Sequence, residues 1–277
     1  ASPTDCRKLH HIANSVVVFD EAQSLPAEVT AATLQAIRVL CQRYHTTVLF
    51  STATQPDYAA LPGIDWAPQE ILPDHAQFYR ALQRTRVEWR VGEGQALPLE
   101  QVADELAAES SVCAILNMRR HARQLYRLLA ATCPPEEVFF LTTDLCAADR
   151  LRRIAAIQDR LLRGAPCRVV ATQCIEAGVD FDFDVVYRAL APLDSIVQAA
   201  GRCNRNGRLP EGGRVVVFIP DEPGRCYPGA WYEAAAHKTQ ALNRAQEIDL
   251  QNPAHIRAYY QLAFADAMDK PALRKAL

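Results

Sequence analysis

Seven short runs of β-branched and aromatic residues constrain the fold of this 277-residue chain more than any other feature. They cover residues 15–19, 46–50, 112–116, 138–141, 168–171, 184–187 and 214–219. A strand with one face in water alternates apolar and polar residues, whereas a strand covered on both faces does not. None of the seven alternates, so they predict buried parallel strands. Helical stretches lie between them. Residues 27–43 place Val29, Thr33, Ile37 and Leu40 on one face. Residues 118–131 form a second stretch. A third, 147–163, turns Leu151, Ile154, Ile157 and Leu161 inward and stops at Gly164. This alternation predicts an α/β fold with parallel sheets sandwiched by helices.

The length predicts about two domains. A Pro- and Gly-bearing stretch over residues 56–77 reads as a linker. A second break follows Ile219, where Pro220, Pro223, Gly224, Pro228 and Gly229 interrupt the pattern, and the tail from Ala230 reads as an amphipathic helical extension. The net charge is −2, so nucleic-acid binding must come from local patches rather than the overall field. Of the 30 basic residues only Lys8, Lys238, Lys270 and Lys275 are lysines. A GC-rich genome accounts for that bias, and planar guanidinium also suits phosphate. Nine cysteines, with no Cys-x-x-Cys and no zinc spacing, predict reduced cytosolic thiols. With no membrane-length apolar run and no signal peptide, the chain is expected to be cytoplasmic and without a membrane partner. It opens on Ala1-Ser2-Pro3 without an initiator methionine, and reads as part of something longer.

Chemistry concentrates at strand ends. Val16-Val17-Val18-Phe19 runs into Asp20-Glu21-Ala22-Gln23. Ligands of open α/β sheets bind beyond the carboxyl ends of the strands. There one carboxylate can hold Mg²⁺ on a nucleoside triphosphate while its neighbour deprotonates a water. An isolated Asp-Glu pair more often caps the helix that follows. Ser51-Thr52-Ala53-Thr54 ends the next strand, and its hydroxyls can couple a nucleotide site to a nearby surface. Alone, it also reads as an ordinary turn.

Residues 168–208 hold Thr172-Gln173, Ile175-Glu176-Ala177-Gly178-Val179-Asp180 and Gln198-Ala199-Ala200-Gly201-Arg202-Cys203-Asn204-Arg205. A helix from Asp194 would put Gln198, Arg202 and Arg205 on one face, a phosphate reader. An arginine against a γ-phosphate contributes roughly 10³–10⁵ in rate. The flat Ala199-Ala200 surface would suit close approach of another domain.

Order, spacing and strand context together resemble superfamily 2 helicases. The flanks resemble the CRISPR-associated helicase–nuclease of type I systems over roughly residues 9–219. Those flanks are Asn14-Ser15-Val16, Gln23-Ser24-Leu25-Pro26, Ile115-Leu116-Asn117, Ile175 to Asp182, Tyr187-Arg188-Ala189, Asp194-Ser195-Ile196 and Gln198 to Gly207. The resemblance implies RecA-like motor domains. Residues 1–84 would be the C-terminal part of the first, 85–222 the complete second and 223–277 the helical extension. It implies ATP and Mg²⁺ as cofactors. Asp20 would hold the metal and Glu21 would activate water. Gln23, Gly178, Asp180 and Gln198 would lie at the nucleotide, with Arg202 and Arg205 at the γ-phosphate. Ser51, Thr52 and Thr54 would couple. Asn117, Arg119, Arg120, Thr172 and Gln173 would line the nucleic-acid path, with Arg123 a further phosphate contact. A solvated helix start explains the arginines of 119–123 equally well. The implied partners are single-stranded DNA, pulled 3′ to 5′ from a target R-loop in antiviral defence, and the CRISPR surveillance complex.

Two departures stand beside the resemblance. No Gly-Lys dipeptide occurs, so the lysine-bearing phosphate loop is not in this sequence. No His-Asp dipeptide occurs either. The remaining N-terminal helicase portion and the nuclease portion are therefore expected outside these residues, leaving the first sheet short of strands. Two rival readings stay open. One is a binding fragment that contacts DNA or the surveillance complex without hydrolysing ATP. The other is an RNA helicase or restriction-type translocase.

Overall fold

The structure, a computed structural model, describes residues 8–25, 27–61, 63–72, 83–176 and 178–267. The chain forms two compact units. The first comprises residues 1–76 with 252–277, and the second residues 77–251.

In the first unit a short helix α1 (Leu9–Ile12) leads into β1 (Val16–Asp20), α2 (Ala27–Tyr44) and β2 (Thr47–Ser51). β1 and β2 pair in parallel, with Val16 opposite Thr47 and Asp20 opposite Ser51. Helix α8 (Pro253–Ala267) returns to the same unit. Phe19, Phe50 and Tyr58 stack at centroid distances of 5.7 and 5.3 Å. The face of α2 differs from the expected one by about one residue. Thr30, Ala31, Leu34 and Ile37 are buried, while Val29 is exposed. β1 is also not covered on both faces. Val17 and Phe19 turn inward, but Val16 and Val18 are 64% and 58% exposed. The stretch expected as a linker is packed where it is described: Tyr58, Leu61 and Ile64 are buried.

The second unit is a six-stranded all-parallel sheet. Its strands are β3 (Thr85–Arg90), β4 (Ser111–Ile115), β5 (Val138–Leu141), β6 (Cys167–Ala171), β7 (Val185–Ala189) and β8 (Gly213–Phe218), in the order β3-β8-β7-β4-β6-β5. The crossovers include α3 (Leu99–Ala108), α4 (Arg119–Thr132), α5 (Ala147–Leu162) and α6 (Leu193–Ala200), and α7 (Ala230–Ala245) follows the sheet. β4 lies inside the sheet between β7 and β6, and Val112, Cys113, Ala114 and Ile115 have no exposed surface. That burial explains why its run carries no polar alternation. Leu99, Val102, Ala103 and Leu106 recur at helical spacing in α3 and pack with Leu125 and Leu129 of α4, Val170 and Phe218 in one core. Each of the larger of these side chains, Leu, Val and Phe, contributes roughly 1.5–3 kcal/mol of burial free energy.

The α/β class is as expected. β3 and α3 lie outside the sequence expectations, because β3 is an edge strand whose Arg86, Glu88 and Arg90 interrupt Val87 and Trp89. In α5 only part of the expected inner face holds. Ile157 is buried, but Leu151 is exposed. Gly164 ends that helix at φ +64°, a left-handed conformation that glycine adopts without a Cβ clash. Among the described residues no helix is long and apolar enough to cross a membrane.

Candidate functional site

In the first unit the parallel register of β1 and β2 brings the acidic and hydroxyl motifs together. Asp20 and Ser51 end paired strands, and the Ser51 hydroxyl donates to Asp20 Oδ1 at 3.0 Å. Glu21 follows at φ +52°, a left-handed conformation that costs a residue with a Cβ of order 1 kcal/mol or more. That turn ends the strand and lets the 22–24 segment curl back. Gln23 then bridges the two motifs, donating to the Glu21 carboxylate and accepting from the Thr52 hydroxyl. The Thr54 amide donates to Thr52 Oγ1 at 3.1 Å, and the Thr54 hydroxyl lies 3.3 Å from the hydroxyl of Tyr260 on α8. The acidic and hydroxyl motifs are thus tied by two adjoining sets of hydrogen bonds, Asp20 with Ser51 and Glu21 and Gln23 with Thr52 and Thr54. Asp20 and Glu21 are exposed, a pair of oxygen donors suited in chemistry to a hard cation such as Mg²⁺.

In the second unit the candidates gather beyond the carboxyl ends of β4, β6 and β7. Thr172 is buried directly after β6, and Gln173 donates to the Asn117 carbonyl at 3.2 Å. The Asn117 amide is spent within the protein. Its Nδ2 donates to the Leu190 carbonyl at 2.8 Å, and its Oδ1 accepts from Arg188 at 2.7 Å and from the Tyr232 hydroxyl at 3.1 Å. Gly178 sits at φ +77°, where a Cβ would be strained. Asp180 pairs with Arg205 Nε at 2.7 Å across an exposed surface.

The helix expected to carry three phosphate-reading side chains is shorter than that. α6 ends at Ala200, because residues 202–204 turn to pair with Phe183: the Phe183 amide donates to the Arg202 carbonyl at 2.9 Å and the Asn204 amide to the Phe183 carbonyl at 2.8 Å. Gln198 stays on the helix, half-buried, while Arg202 and Arg205 leave it. Arg202 is buried and donates to the carbonyls of Ile175 and Glu176 at 3.2 and 2.6 Å. It therefore fastens the loop after β6, and Arg205 keeps the half-exposed guanidinium. Ala199 and Ala200 are buried, so they present no open flat surface.

The arginines of α4 divide by role. Arg119 and Arg123 both reach the Asp144 carboxylate from exposed positions. Arg120 instead donates to the carbonyls of Pro223 and Arg225 at 2.9 and 2.6 Å, clamping the loop after β8.

Several residues that the sequence expectations gave no role organise this unit. Asp182 accepts from the amides of Arg205 and Asn206 at 2.7 and 3.3 Å and from Arg208 Nε at 3.1 Å, fixing the arginine loop. Asn204, at φ +45°, ties that loop to the Arg84 carbonyl at 2.9 Å. Arg188, with no exposed surface, pairs with Glu176 at 2.8 Å. Burial pushes the Glu176 carboxyl up, against the pull of Arg188. Asp194, at the start of α6, is pushed up to about 6 by burial. A charged residue inside an otherwise apolar strand run was the signal available for Arg188. Among the described residues no cluster of His, Cys, Asp and Glu has metal-binding geometry.

Parallel sheets flanked by helices, with hydroxyl, acidic and arginine-bearing loops at their carboxyl ends, define a RecA-like helicase architecture. Residues 108–208 match the family described as CRISPR-associated nuclease/helicase Cas3, C-terminal. The CRISPR-associated nuclease/helicase Cas3 of Haloferax volcanii is 28% identical over 317 aligned positions, covering 80% of this chain and 33% of that protein. The T. fusca Cas3–ATP crystal structure superposes with a TM-score of 0.64 at 22% identity, covering 93% of this chain and 35% of that one. A chain of a CRISPR RNA-guided surveillance complex in a pre-nicking state gives 0.60 at 23% identity, covering 96% and 39%. This chain is related in sequence and fold to the helicase portion of the Cas3 proteins of type I CRISPR systems. It spans about a third of the length of the relatives it matches.

Proposed function

We propose that this chain supplies part of an ATP-dependent superfamily 2 DNA translocase acting on single-stranded DNA of a target R-loop in type I CRISPR interference. The observation that carries the reading is the pair of hydrogen-bonded links between the two motifs, Asp20 with Ser51 and Glu21 and Gln23 with Thr52 and Thr54. A nucleotide-dependent shift at the acidic strand end would pass directly to the coupling hydroxyls. In this reading Asp20 holds Mg²⁺ on ATP and Glu21 draws the proton from the attacking water. Gln23, Gly178, Asp180 and Gln198 contact nucleotide. Arg205, exposed and held by a surface ion pair with Asp180 and a long hydrogen bond to the Gly201 carbonyl, meets the γ-phosphate, and Arg202 keeps the adjoining loop in place. Thr172, Gln173, Arg119 and Arg123 line the strand path, with Asn117 and Arg120 holding it from beneath. A T. fusca Cas3 relative whose structure is described with ATP, and a structural neighbour in an RNA-guided surveillance complex, support nucleotide and a Cascade-type assembly as the partners.

A second reading is favoured by one observation. No Gly-Lys phosphate loop occurs in these 277 residues, so the chain by itself would bind DNA or the surveillance complex without turning over ATP. Steady-state ATP hydrolysis, with and without single-stranded DNA, separates the two. DNA-stimulated hydrolysis lost in Glu21→Gln and Arg205→Ala supports a working nucleotide site. DNA binding without hydrolysis supports the binding module. Absence of both overturns the motor reading.

A further inference from the structure

The second unit contains a buried polar hub that its motif residues do not explain. Arg188 lies on β7 among apolar neighbours. One guanidinium nitrogen, Nη1, donates to Asn117 Oδ1 at 2.7 Å and to the Ala189 carbonyl at 2.9 Å. The other, Nη2, meets Glu176 at 2.8 Å and donates to the Tyr232 hydroxyl at 2.7 Å. That hydroxyl in turn donates to Asn117 Oδ1 at 3.1 Å. The hub therefore grips the loop after β4 through Asn117 and the loop after β6 through Glu176, and Gln173 closes the circuit by donating to the Asn117 carbonyl. Of these groups only Tyr232 comes from outside the sheet and its carboxyl-end loops. It projects from α7, past the stretch of helicase-like motifs.

A charged group without solvent has few arrangements that keep it satisfied. If either loop shifted alone, it would leave Arg188 or Glu176 unpaired in the interior. The two loops are thus locked to one another and to α7.

We infer that Arg188 and Tyr232 are positioning residues: they hold the loop carrying Thr172, Gln173 and Glu176 in register with Asn117, so that α7 sets the geometry of the nucleic-acid path. This rests on the motor reading for its functional meaning. Neither residue touches DNA; both act through the loops they tie.

Tyr232→Phe removes one hydroxyl and keeps the ring. Thr239→Val is the control. Thr239 is fully buried on the same helix, where its hydroxyl donates back to the Ala235 carbonyl of that helix. Hydrogen exchange is measured by mass spectrometry on the full chain. Peptides containing Gln173 and Glu176 should exchange about 10-fold faster in Tyr232→Phe and remain at the wild-type rate in Thr239→Val. In parallel, anisotropy with labelled oligo-dT should show about 5-fold weaker binding for Tyr232→Phe with an unchanged salt slope, because no phosphate contact is lost. Unchanged exchange in Tyr232→Phe, or the same acceleration in both variants, overturns the inference. If the wild type binds no oligonucleotide, the motor reading falls, and the exchange comparison still decides whether Tyr232 positions the loop.

Discussion

The guanidinium of Arg188 and the carboxylate of Glu176 meet 2.8 Å apart, Arg188 with no exposed surface and Glu176 with almost none. Two charges held this way are stable only as a pair, since removing one strands the other in a medium that solvates it poorly. Arg188→Met should therefore lower the unfolding free energy by about 3–5 kcal/mol, read from urea denaturation. The double variant Arg188→Met/Glu176→Leu should recover a large part of that loss. A double variant as unstable as the sum of its single changes would contradict the pairing.

Asp194 lies close enough to Arg188 to feel its charge, yet burial dominates and raises its carboxyl to about 6. The folded state then binds this proton more tightly than the unfolded chain, whose aspartates titrate near 4. The contribution is fully present below about pH 4 and lost as pH rises through about 6, a change on the order of 3 kcal/mol. Urea midpoints between pH 4 and 7 should show wild type losing stability relative to Asp194→Asn in that window. Parallel curves for the two proteins would contradict the assignment.

Tyr260 on α8 and Thr54 at the end of the coupling motif share a buried hydroxyl–hydroxyl contact of 3.3 Å. Tyr260→Phe should cost about 0.5–1.5 kcal/mol, and Thr54→Val in the Tyr260→Phe background should add less than it does alone. Strict additivity in thermal or urea unfolding would show that the two hydroxyls do not interact.

The limits of sequence reading follow from what each pattern encodes. β4, β6 and β7 were legible because burial on both faces leaves mostly apolar residues, with Arg168 and Arg188 as the charged exceptions. β3 was not, because its polar residues belong to an edge strand that the chain pattern alone cannot place. Local spacing singles out the motif residues one by one, but it does not fix the side of the fold each one faces. The turn of residues 202–204 onto Phe183 is a long-range pairing, and it removes Arg202 and Arg205 from the helix that local spacing implied. Arg188 was visible as part of the Tyr187-Arg188-Ala189 flank and as a charge beside an apolar run, but its partners Asn117, Glu176 and Tyr232 lie far apart in the chain.

Arg119 and Arg123 share the Asp144 carboxylate at an exposed surface, a pairing worth at most about 1 kcal/mol and open to exchange for phosphate. Replacing both with alanine should leave stability nearly unchanged. It should weaken oligo-dT binding and reduce the slope of log affinity against log salt by about 1–2. An unchanged slope would remove these arginines from the nucleic-acid path.

Under the proposed function this chain is part of a translocase for single-stranded DNA. The most direct test is equilibrium binding of labelled single-stranded DNA, single-stranded RNA and duplex DNA of equal length, by anisotropy at one fixed salt concentration. Single-stranded DNA should bind most tightly, by about 10-fold or more. Equal or tighter binding of RNA, or preference for duplex, would contradict it and favour an RNA helicase or a duplex translocase.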